Sequence, residues 1–140
     1  MAAVNEIISI GNGMDYFISP THRRGSATEH KSIWCITSDD EVNCFKLSVQ
    51  HGWVSDTTGW GLHIIYNNIR RLGYNLRNDD LRIAKFIDKN TSGTWHGYPA
   101  DYVYNKQDCP SDNVLKDWVR KNFINKAGML RIKQGKKGDL

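Results

Sequence analysis

The sequence predicts an α+β domain: an antiparallel sheet of about four to six strands, one amphipathic helix after the first strands, and a helical pair at the C-terminus. Three observations carry that expectation. Short β-rich runs separated by Asn-, Gly- and Asp-containing turns fill the first third of the chain. Segment 60–72 repeats apolar residues at spacings of three and four, and two more amphipathic runs follow Pro110.

Length and composition bound the rest. A chain of 140 residues suits one core, so 1–135 is read as a single domain and 136–140 as a basic tail. Apolar residues make up 39% and charged residues 24%, an ordinary globular balance rather than a disordered one. No apolar run approaches the ~18 residues of a membrane span, and the start has no basic segment leading into a long apolar one. Cys35, Cys44 and Cys109 are an odd, widely spaced set without a C-x-x-C pair, which fits reduced thiols. The expectation is a cytoplasmic protein without membrane association.

The elements follow in order. Residues 4–19 read as a hairpin, with Ile7, Ile8 and Ile10 before Gly11-Asn12-Gly13 and Tyr16, Phe17 and Ile18 after it. Pro20 ends the second strand, and 21–30, with nothing apolar larger than Ala27, reads as a mobile surface loop. Residues 32–49 read as a second hairpin turning at Ser38-Asp39-Asp40-Glu41, with Trp34 opposite Phe45 and Cys35 opposite Cys44. Thr57 or Thr58 would cap the helix over 60–72, whose stripe is Leu62, Ile65, Ile69 and Leu72, with Gly73 as its terminator.

Residues 81–87 alternate as a strand, Asn90-Thr91-Ser92-Gly93 makes a turn, and 94–104 supplies an aromatic-rich partner strand. Ser111 or Asp112 then caps a helix striped by Val114, Leu115, Trp118, Val119 and Phe123, and Asn125 opens a shorter one.

Charge is the strongest functional signal. From Lys116 onward eight basic residues face two acidic ones, a net +6, which leaves −2 for the preceding chain out of a total of +4. Lys116, Arg120, Lys121, Lys126, Arg131, Lys133, Lys136 and Lys137, together with Arg70 and Arg71, are the candidate nucleic-acid contacts. A solvated helix face with a basic tail gives the same count.

A second feature is the string Thr94 to Tyr102. Trp95, Tyr98 and Tyr102 would form an aromatic surface for a protein partner, making the chain an inhibitor, immunity or adaptor module. The same aromatics also suit an edge strand packed on the last helix. His96 with Asp101, or with a second histidine such as His63, would give a metal-independent ribonuclease-like hydrolase its acid and base. No H-x-x-x-H or H-E-x-x-H spacing, G-x-S-x-G or P-loop occurs, so neither metal nor cofactor is expected. A nucleic-acid-binding protein is the leading expectation.

Overall fold

Asn12 and Gly13 both take positive φ, 56° and 75°, as a two-residue turn between right-twisted strands requires. They join β1 (Ile7–Gly11) to β2 (Met14–Phe17) as an antiparallel pair, Ile8 opposite Tyr16. The computed structural model describes residues 2–138 and 140. These residues form a seven-stranded sheet, a second sheet of three strands, and three α-helices, the last two adjacent at the C-terminus. The α+β class stands. None of the described helices is long and apolar enough to cross a membrane.

The large sheet also contains β4 (Val54–Ser55), β5 (Thr58–Ile65), β6 (Asn68–Arg70), β9 (Ile83–Ile87) and β10 (Thr94–Pro99). Its order is β1-β2-β10-β9-β5-β4, with β6 paired to β5. The turn at 90–93 joins β9 and β10 as the sequence predicts, His96 opposite Ile87 and Tyr98 opposite Lys85. β10 then runs parallel to β2, placing Trp95 beside Tyr16. It is therefore an interior strand, not an edge. The small sheet is β3 (Ile33–Trp34), β7 (Gly73–Tyr74) and β8 (Asp80–Leu81), ordered β3-β7-β8.

Two expectations are overturned, and each takes the other's place. Residues 38–50 form helix α1 (Ser38–Gln50) where a hairpin was expected. The polar tetrad is a helix start rather than a turn: the Thr37 hydroxyl accepts from the Asp40 amide at 3.1 Å, and Asp39, Asp40 and Glu41 occupy the first turn. Val42, Phe45 and Val49 then recur at helical spacing, so Cys35 and Cys44 do not face each other across strands.

Conversely, the expected helix 60–72 is the β5–β6 hairpin. A helix there would carry Gly59 and Gly61 near its start, an unfavourable beginning. As a strand the segment alternates instead: Trp60, Leu62 and Ile64 look toward the C-terminal helices, and Gly61 looks toward α1. A Cβ on Gly61 would collide with the Ser48 hydroxyl, so α1 rests directly on this strand.

The sheet thus has a core on each face. Under α1, Tyr16, Phe45, Phe86 and Trp95 pack ring on ring, with centroids 5.0 Å apart for Tyr16–Phe45 and 5.6 Å for Phe45–Trp95. On the opposite face, Trp53, Leu62 and Ile83 pack against Leu115 and Trp118 of α2 (Asp112–Arg120) and Ile132 of α3 (Lys126–Lys133). Ser111, one of the two expected caps, and Asn125 cap these helices.

Loop 21–30 is not loose at its start. Arg23 reaches inward to the buried Glu41 carboxylate, Nε at 2.9 Å, and donates to the Ile36 carbonyl at 2.8 Å. The described tail residues also lie against the body: the Tyr102 hydroxyl meets the Leu140 carbonyl at 2.6 Å, and Leu140 joins the second core.

Candidate nucleic-acid interface

Exposure follows from the helical wheel of the C-terminal pair. Val114, Leu115, Asp117 and Trp118 face inward, which leaves Lys116, Arg120 and Lys121 outside, and on α3 only Ile132 is buried. The eight C-terminal cations are all exposed, but they are not electrostatically equal. Arg120 and Lys121 both bond Asp117, Lys133 lies 3.2 Å from Asp112, and Lys137 lies 3.5 Å from Asp79. Lys116, Lys126, Arg131 and Lys136 make no ion pair among the described residues.

The two arginines outside this segment differ in the same way. Arg71 pairs with Asp80 at 3.0 Å and stacks over Tyr74, whereas Arg70, opposite His63, is exposed and makes no ion pair among the described residues.

Beside Lys126 and Arg131 lies a groove that the sequence did not signal. The β5–β6 hairpin reaches the turn between α2 and α3, and the two enclose a cavity of about 290 Å³. Its floor is apolar, with Ile69, Phe123, Ile124 and Ile132, while Asn67, Asn68, Asn122 and Asn125 supply carboxamides. Lys126 follows Asn125, and the Arg131 stem packs beside Gly138, another lining residue, whereas Arg70, opposite His63, projects from the other face of the sheet. Tyr66, at the hairpin tip beside Asn67, is 90% exposed. A positive rim, amide groups and an apolar floor suit a ligand that carries phosphates and flat polar rings.

The aromatic surface expected at 95–102 is absent. Trp95 and Tyr102 are 3% and 6% exposed, each committed to one of the two cores. Tyr98 is half-buried, with its hydroxyl donating to Asp108 at 2.7 Å and its ring stacked on His22 at 5.0 Å. Strand alternation marks two faces, but only the fold decides which face another layer covers.

The candidate catalytic residues do not assemble as expected. Asp101 lies beyond the end of β10, accepts from the Asn75 amide at 3.1 Å and donates its own N–H to Asp108 at 2.9 Å, so it braces a turn. Burial, with Asp108 and Asp79 nearby, raises its carboxyl pKa. His63 stands on the opposite face of the sheet from His96, because His96 lies in line with Ile87 and Thr58, and odd-numbered residues of β5 point the other way. Asp88 pulls the His96 ring toward its charged form against the larger effect of burial, and His96 in turn opposes the charging of His22. Burial holds the pKa of both rings below the usual histidine value.

No protein-family model, curated protein or solved structure matches this chain.

Proposed function

We propose that the protein binds nucleic acid along the surface formed by α2, α3 and the β5–β6 hairpin. The observation that supports this best is the placement of Lys126 and Arg131 beside one groove, each exposed and outside the ion pairs that occupy Arg120, Lys121, Lys133 and Lys137. Cations not already neutralised by neighbouring carboxylates release counterions when phosphates replace water around them, which is the main source of affinity in such complexes. The protein-binding reading relied on the aromatic residues 95–102, and two of its three rings are buried.

Charge reversal at the groove tests the location. Replacing Lys126 and Arg131 together by Glu is expected to weaken oligonucleotide binding at low salt by at least about tenfold, since two favourable phosphate contacts become repulsive. Lys46→Glu, exposed on α1 on the other face of the sheet, is the control and leaves affinity within about twofold. Equal losses from both changes would mean a diffuse charge effect and no interface at this place.

A further inference from the structure

We infer that the groove between the β5–β6 hairpin and the α2–α3 turn takes an unpaired base of single-stranded nucleic acid, with the Tyr66 ring stacking on a neighbouring base. This rests on the nucleic-acid reading above and names the form of nucleic acid that the surface selects.

The hairpin tip supplies the first argument. Tyr66 and Asn67 have φ of 50° and 65°, a turn in which both central residues are left-handed. Asn, Asp or Gly occupies such positions at low cost, whereas a tyrosine is strained there. The strained ring is 90% exposed and contributes to neither core. An aromatic held out at a strained turn, gaining nothing for the fold, is where stacking on a ligand compensates.

The second argument is the polar chemistry of the groove. Asn67 and Asn122, one on each wall, both have positive φ, 65° and 63°, and their side-chain carboxamides take part in no hydrogen bond among the described residues. Each presents one acceptor and a two-hydrogen donor, the same pairing that a base edge offers. Phe123 and Ile69 beneath them give the ring an apolar bed, and a cavity of about 290 Å³ is the scale of a single small planar group. In a duplex the base is already stacked and paired, so it cannot enter without being flipped out. Charge fits the same occupant: the described lining residues include no Asp or Glu side chain, and Lys126 and Arg131 stand beside them.

Affinities of the full chain for a labelled 12-nucleotide single strand, DNA and RNA, and for the 12-base-pair duplex at one low salt concentration test this. The single strand is expected to bind at least about tenfold tighter than the duplex. Tyr66→Ala is expected to lose about tenfold on the single strand, Tyr66→Phe to keep it, and Asn122→Gly, which retains the left-handed backbone, to lose several-fold. None of these changes should alter the duplex affinity or the dependence on salt. Equal binding of both forms, or an unchanged affinity in Tyr66→Ala, would overturn the base-binding groove and leave the phosphate-binding surface standing. Absence of binding to either form would overturn both.

Discussion

Asp117 is drawn on from three directions: Trp53 Nε1 donates to it at 2.7 Å, Lys121 at 2.5 Å, and Arg120 closes on its other oxygen. Burial works to raise its pKa, but the bonds from Lys121 and Trp53 and the charges of Lys121 and Arg120 outweigh that and hold it at about 2. Because the folded value lies below the ordinary 3.8, the stability it lends is present above pH ~4 and is lost as pH falls toward 2. Asp117→Ala strands a buried indole N–H and should cost about 1–3 kcal/mol in denaturant unfolding. The stability gap between wild type and Asp117→Asn is expected to be constant near neutral pH and to close between about pH 4 and pH 2. A gap that widened on acidification would mean that this carboxylate is not held in its charged form. Tyr66 makes the opposite case at the same scale. Tyr66→Asn should stabilise the fold by roughly 1 kcal/mol by relieving the left-handed strain, while weakening binding to a single strand. Among single residues, the caps Ser111 and Asn125 were legible because their chemistry is local. The burial of Trp95 was not, because it depends on α1, which lies some fifty residues earlier in the chain.

Among the elements, α1 and the β5–β6 hairpin depart from what the sequence predicts, and the reasons are physical. Segment 38–50 carries both a strand-like alternation and a helical stripe, and its cap at Thr37 breaks the tie in favour of helix. In β5 and β6 the apolar spacings mimic a helix, while Gly59 and Gly61 are there because α1 and β4 approach too closely for any side chain. Gly61→Ala puts a methyl against Ser48, Phe86 and the Cys44 carbonyl, and should cost about 1–3 kcal/mol by lifting α1 from the sheet. A Gly61→Ala variant as stable as the wild type would contradict that packing. The loop that looked mobile is tied to α1 by a buried ion pair, Arg23 to Glu41, with Glu41 only 1% exposed and also bonded by Tyr16. Burial pushes the Glu41 pKa up against the pull of Tyr16 and Arg23, so desolvation offsets much of the attraction within the pair. Removing one partner leaves the other buried and uncompensated. Glu41→Ala should therefore cost about 3–5 kcal/mol and speed tryptic cleavage after Arg23 or Arg24; unchanged cleavage would mean the loop is held elsewhere.

At the scale of the whole molecule, the α+β class and the closing helical pair were readable from the chain, because hydrophobic period and capping are local properties. The charge asymmetry was readable too, but its meaning was not. Carboxylates distributed along the chain, from Asp79 to Asp117, decide which cations remain open to phosphate. The groove was invisible for the same reason: residues 67–69 and 122–128 meet only once β5 has paired and α2 has docked on the opposite sheet face. The central claim is that a limited set of cations, Lys116, Lys126, Arg131 and Lys136, contacts phosphate. The slope of log affinity against log salt for a single-stranded oligonucleotide tests it most directly. Four contacts at about 0.7 ion each predict a slope magnitude of about 3, falling by about 1.4 when Lys126 and Arg131 are replaced by Ala. A slope near zero, or one unmoved by those two substitutions, would contradict the account.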